Sequence, residues 1–453
     1  MRRVGGVALG VLMVLAGSQA AAESVFSRSG FAAGRDTHTV FPYEHIDPAS
    51  GNLLLVQTDL VLPGNAGFDL VVQRVYNSKV HPLYDQGGNT TLEERSWVGV
   101  GWRLHFGRVI NPTSTTSGAT QIELGDGSRH PLYTTAAFPE GWISKGFIRY
   151  DRTTHTAKFP NGLVYTFGHV ANVGGLLGDV RYVTQIADPF GNTQTFSYVS
   201  SPAGALQQIQ QQLGGGQTRT VTFAIDPSTN ALASMTYNNQ TYSFTTQATT
   251  NPTGHALLLD TQRPGNLTRW SYQYGSGLTG ELTKLIAPSE GEVGFTYANA
   301  TRTVGGASVL TRVVTQRTTQ GTYVTGGTWS FAYSQGAQAN KTIVTTPCGT
   351  LTYTYKGFGT TGPFPAWQVG LLEETTVEQS GVVFERHTMT YQPSAAISPD
   401  PIPPDANGNW GDPAVYNALS DTTWIYRGPQ AHHGDVSQHE LQRLRVAVGG
   451  AGL

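Results

Sequence analysis

The chain has 453 residues, of which 13% are charged, and a formal net charge of −2. That balance lacks the basic face a nucleic-acid partner requires, and the abundance of Tyr, Phe, Trp and Val excludes simple disorder. A single cysteine, Cys348, excludes an internal disulfide, so stability rests on burial and backbone hydrogen bonding. In chain order, the first expected element is a secretory signal over residues 1–22. Arg2 and Arg3 are followed by an apolar run from Val4 to Gly17 and by Ala20-Ala21-Ala22 before Glu23. The run is shorter than the roughly 20 residues of a membrane helix, and no later stretch is long and apolar enough to span. The mature chain is therefore expected to be secreted or held at the cell surface, with no transmembrane segment after signal cleavage.

Residues 23–175 form a first β zone with its own motifs. Gly125-Asp126-Gly127-Ser128 and Pro160-Asn161-Gly162 each separate two strand-like runs and read as hairpin turns. Residues 176–395 carry a recurring phrase, a Pro/Gly turn followed by alternating residues that end in Tyr. The clearest copy is I-A-D-P-F-G-N-T-Q-T-F-S-Y, with Asp188, Pro189 and Gly191 in the turn and Tyr198 at the end. Further copies end at Tyr274, Tyr297 and Tyr355, and blurred ones at Tyr333 and Tyr391. Period-two alternation is plain in Arg219 to Ile225 and in Leu351 to Tyr355, and it predicts strands with one buried face. A repeat Tyr is expected to pack its ring on the neighbouring hairpin and to turn its hydroxyl to water. Helix is expected, if anywhere, in the Gln-rich run Ala205 to Leu213 and in Leu441 to Val448. Residues 396–453 are Pro-rich and then irregular, a linker and tail expected to pack poorly.

The ordered strings D-P-A-S-G-N-L (Asp47, Pro48, Gly51, Asn52, Leu53), T-D-L-V-L-P-G (Pro63, Gly64), R-V-Y-N-S (Tyr76, Asn77) and V-G-V-G-W-R-L (Gly101, Trp102) resemble the opening of bacterial RHS/YD-repeat proteins. The phrase ending at Tyr198 then resembles a first repeat. The resemblance implies a long repeat-built sheet that coils into a hollow shell, in large members around a toxic C-terminal polypeptide. The implied partner is a toxin cargo, C-terminal or separately encoded. This sequence departs from the pattern: the Asp expected after the repeat Tyr is replaced by Val199, Gly275, Ala298 and Lys356. The chain is also short for a shell, and nothing after Tyr391 resembles the core that ends the repeats. The expectation is an all-β, open, curved partial shell, a truncated member or the N-terminal part of a larger one.

No catalytic, cofactor or metal site is expected. The chain has no G-x-S-x-G elbow, and Cys348 sits in a turn. His432, His433, Asp435 and His439 read as a solvated tail, and Asp405, Asn407, Asn409 and Asp412 as an Asx-rich turn, because Trp410 replaces the glycine of a calcium loop. Neighbours on a strand face opposite ways, so Glu93-Glu94 and Glu373-Glu374 are poor acid/base sets. The alternative function is recognition of cell-surface glycans through Trp97, Trp102, Trp142 or Trp270, set against core packing for each; a secreted hydrolase is a third reading.

Overall fold

The computed structural model describes residues 37–393, apart from 81–82, 85–89, 116–117, 136–137, 214–215, 250–254, 267, 276–279, 305–306, 322–325, 335–340 and 357–369, together with the strands Tyr416–Ile425 and Arg443–Leu444. The expected signal segment, the His432 to His439 group and the Asp405 to Asp412 turn lie outside the described residues. No helix among the described residues is long and apolar enough to cross a membrane.

The fold is all-β and antiparallel. One sheet of four strands, Glu44–Ile46, Leu53–Leu62, Leu70–Asn77 and Trp102–Arg103, forms an N-terminal unit. All but one of the remaining pairings belong to a single ladder, here called the wall. Its first end is the hairpin His169–Asn172 with Asp179–Tyr182, which pairs onto Arg108–Ile110. From there the ladder runs through Gln121–Glu123, Arg129–Thr135 and three more strands to Val164–Thr166, which pairs with Gln185–Ala187. After that each strand pairs with its successor, as far as Arg443–Leu444. No register joins His169–Asn172 to Arg443–Leu444, so the ladder of the described residues is open.

Local sequence explains most of these strands. In the turn after Ala187, Asp188 Oδ1 accepts the backbone N–H of Phe190 (2.9 Å) and of Asn192 (2.7 Å), and Gly191 takes φ 88°. Asx capping and a left-handed glycine thus reverse the chain as the D-P-F-G-N string predicts. Val221 and Phe223 are buried while Thr222 and Ala224 are exposed, as alternation requires. The Gln-rich run is a strand, Leu206–Gln212, and not a helix. Its apolar Leu206 and Ile209 are buried, and ladder bonds on both sides outweigh any local helical preference. The ladder also continues past the Pro-rich segment, because Tyr416–Ile425 pairs with Val382–Pro393; apart from this strand and Arg443–Leu444, residues 396–453 lie outside the described residues.

One apolar cluster joins the two parts: Leu53, Leu55, Tyr76 and Trp102 of the N-terminal unit share it with Ile209, Val221, Leu258, Leu285 and Val344 of the wall. The unit touches wall strands from Thr193–Tyr198 to Lys341–Thr346, twelve strands in sequence. Laid flat at about 4.8 Å per strand these would span on the order of 50 Å. The longest strand of the unit, Leu53–Leu62, has 10 residues and reaches only about 33 Å. One side of the wall meets the unit throughout, so the wall curves around it, as right-twisted ladders of this length do.

Candidate functional site: the seam between the N-terminal unit and the wall

The opening motifs lie along this seam, and each meets a different stretch of the wall. At Gly64 a Cβ would stand 1.8 Å from Phe68 O, so the tight turn after the exposed Pro63 admits only glycine. That turn presents Phe68 O and Asp69 O to Gln211 Nε2 (2.6 Å) and Gln194 Nε2 (3.0 Å). Farther along, Trp97 O accepts Leu232 N (2.7 Å) and Val100 N donates to Ala256 O (2.8 Å). Trp102, fully buried, donates Nε1–H to Tyr274 Oη (2.9 Å), which donates in turn to Leu258 O (2.7 Å). Tyr76 Oη donates to Gly280 O (2.9 Å) and accepts Leu282 N (2.8 Å).

The Asp47 turn holds the far end of the seam. Asp47 accepts Ala49 N (2.8 Å) and Ser50 Oγ (2.7 Å), which leaves Pro48 O free to accept Thr342 Oγ1 (2.7 Å) and Gly51 O to accept Val314 N (2.9 Å). Gly51 has φ 71° and a Cβ there would meet Val313 Cβ at 2.4 Å, so the motif glycine permits close approach to the wall. Asn52 Oδ1 accepts Ser78 Oγ (3.0 Å), and that hydroxyl accepts the N–H of buried Leu53 (2.8 Å). Asn77 N donates to Gly101 O (2.9 Å), and Gly101, at φ 81°, leaves room for the Tyr76 ring.

Charged groups are buried along the same seam. Arg74 forms a two-pronged pair with Asp59 (2.6 and 2.9 Å) and lies over Trp102 and Phe244. Arg317 pairs with Glu44 across the seam (2.5 and 3.0 Å) and lies over Trp329. Lys79 Nζ donates to Ser50 O and Thr311 Oγ1, both at 2.8 Å, and burial lowers its pKa to about 7. The largest group gathers Glu93, Glu94, Arg103, His105, Arg108, Glu123 and Arg129, all buried. Arg129 bonds Glu123 (2.5 Å), Arg108 bonds Glu123 (3.1 Å) and Glu94, and Arg103 bonds Glu93 and Glu94. Three arginines thus balance three glutamates, the condition under which buried charge is tolerated. Burial holds His105 down to about pKa 4 although Nε2 lies 2.9 Å from Glu123 Oε1, so it is neutral at pH 7. Glu93 and Glu94 were expected to face apart. They lie outside any strand, alternation does not apply, and both carboxylates meet Arg103.

The repeat tyrosines also depart from expectation. Their hydroxyls go to backbone carbonyls of the preceding strand or its approach, not to water: Tyr198 to Val183 O (2.5 Å), Tyr274 to Leu258 O (2.7 Å), Tyr297 to Leu282 O (2.8 Å), Tyr333 to Val314 O (2.8 Å) and Tyr391 to Leu372 O (2.7 Å). Each acceptor lies just past the last paired residue of that ladder, so the phenol completes a carbonyl the backbone no longer reaches. On the other flank a register shift falls at Tyr198, Tyr274, Tyr297, Tyr355 and Tyr391. Tyr355 is fully buried.

Of the tryptophans named for binding, Trp97, Trp102 and Trp142 are core residues. Trp270 is half-buried and lines a cleft of about 390 Å³ with Tyr43, Tyr242, Gln57, Asp59, Arg74 and Arg263. Cys348 is exposed in its turn, where its N–H bonds Thr346 Oγ1 (3.2 Å).

The comparisons with known proteins add the following. Residues 43–132 match the family described as "Domain of unknown function (DUF6531)". The match contains every motif from Asp47 to Trp102, and it therefore coincides with the unit that lines the seam and the first strands of the wall. The crystal structure of TcdB2-TccC3 without its hypervariable C-terminal region aligns over 83% of this chain and 26% of that one, at 9% identity and a TM-score of 0.28. The N-terminal domain of the effector protein SpvB from Salmonella typhimurium strain LT2 aligns over 58% of this chain and 99% of that one, at 12% identity and a TM-score of 0.24. The Tc holotoxin pore of Photorhabdus luminescens with the TccC3-D651A mutation aligns at 9% identity and a TM-score of 0.27 over 83% of this chain. The chain spans about a quarter of the length of TcdB2-TccC3, and at these scores no residue role transfers from any of these proteins. A search of the curated proteins finds no match.

Proposed function

We propose that the chain is an exported, non-catalytic wall segment of an RHS/YD-type shell, acting in toxin delivery or cell-surface interaction. The observation that carries this reading is the seam itself: an open, curved wall whose inner side is lined by the N-terminal unit through bonds to different stretches of it. A wall lined on its inner face by the N-terminal unit is suited to be part of a container for a toxin cargo. The buried ion pairs support it too, because Arg317 with Glu44, Arg74 with Asp59 and the group of three arginines and three glutamates are each balanced, as pairs that hold a wall to its lining would be. Export is tested by fractionating cells that express the full chain or a chain lacking residues 1–22. The reading requires the first outside the cytoplasm or on the surface and the second retained inside; equal retention of both contradicts it.

A further inference from the structure

The cleft at Trp270 opens beside the Arg74–Asp59 pair of the seam, and its chemistry is specific. Its walls come from both parts of the molecule: Tyr43, Gln57 and Asp59 from the N-terminal unit, Tyr242, Arg263 and Trp270 from the wall. Clefts at such junctions are the usual place for small ligands. Tyr43 and Trp270 meet in a T-shaped contact (5.2 Å, 76°), which holds the half-buried indole in the wall of the cleft. Gln57 forms the floor. Its Oε1 accepts from Arg74 Nη2 (3.2 Å) and from Tyr272 Oη, which orients the amide, and its Nε2 has no hydrogen-bond partner among the described residues. Arg74 is neutralised by Asp59, whereas Arg263 is exposed and spends one N–H on Thr58 O (2.7 Å). A guanidinium has five donors, so most of its fork remains for a ligand.

We propose that this cleft binds a pyranose that carries a carboxylate. An aromatic side chain for the sugar's C–H surface, an oriented amide donor below and a cationic fork at the rim are the three groups such a ring requires. The volume of about 390 Å³ suits one or two sugar units. The inference does not depend on the shell reading, since it needs only the two walls of the cleft. The test is a fluorescence titration of the full chain with a glucuronate-terminated disaccharide, its neutral glucose counterpart and a Glu-rich peptide. The expected result is saturable binding of the uronate, at least roughly tenfold weaker in Arg263→Ala at unchanged Tm, as loss of a charge-assisted hydrogen bond predicts. Trp270→Phe should keep the fold and abolish most of the spectral change. No saturable binding, equal binding of the neutral sugar or the peptide, or an Arg263→Ala affinity within about twofold of the parent would overturn the proposal.

Discussion

Tyr297 illustrates how one side chain serves both flanks of a strand. Its hydroxyl completes Leu282 O on the preceding strand, while the register to the following strand shifts at the same residue. Tyr297→Phe keeps the ring and strands the carbonyl, so it should cost about 1–2 kcal/mol in chemical denaturation. A cost indistinguishable from zero would mean that water serves the carbonyl equally well. The glycines divide in the same physical terms. Gly191 has φ 88° with nothing near its would-be Cβ, so Gly191→Ala should cost only the left-handed strain, about 1–2 kcal/mol. Gly101 combines φ 81° with a Tyr76 ring carbon 2.5 Å from the would-be Cβ. Gly101→Ala should therefore cost more, about 2–4 kcal/mol, because overpacking adds to the strain. Equal losses in the two variants would show that the seam at Tyr76 yields easily.

At the scale of elements, the buried polar groups predict how stability follows pH. His38, His105 and His255 are each held down to about pKa 4, all chiefly by burial, with Arg317 and Arg95 adding to the effect at His38 and His255. Below an unfolded pKa near 6.5 the unfolded chain takes up protons that the folded chain refuses. The histidines' contribution to stability is therefore fully present above about pH 6.5 and is lost as pH falls toward 4, by on the order of 1–3 kcal/mol per histidine. Denaturation midpoints measured from pH 7.5 to 5 should fall steadily, and His105→Gln should flatten the slope by up to about one proton. A slope unchanged by that substitution would place His105 outside the linkage.

Much at this scale was legible in the sequence. The Asp188 to Asn192 turn, the alternation of Val221 and Phe223 and the all-β class follow from local rules. The strand at Leu206–Gln212 was not, because Gln tolerates a helix well and only the ladder partners on both sides decide for a strand. The seven-residue ionic group was hidden for another reason. Its members come from a loop at 93–94 and from or near separate strands as far as Arg129, so no spacing announces them. The tyrosine hydroxyls were misread because a strand-end phenol looks wet until the end of the neighbouring ladder is known.

For the whole molecule, the N-terminal unit and the curved wall should behave as one cooperative body. Leu55 and Trp102 belong to the same core cluster as Leu258 and Val344, so the apolar side chains of the four-stranded unit are buried against the wall. A four-stranded sheet alone would bury too little apolar surface to be stable with those side chains in water. The most direct test is native-state hydrogen exchange of the full chain. Amides of Leu53–Leu62 and Leu70–Asn77 should exchange with the same opening free energy as those of Thr218–Asp226 and His255–Gln262, and should lose protection together with them as denaturant rises. Separate exchange, with the N-terminal strands opening at a lower free energy while the wall stays protected, would contradict the account.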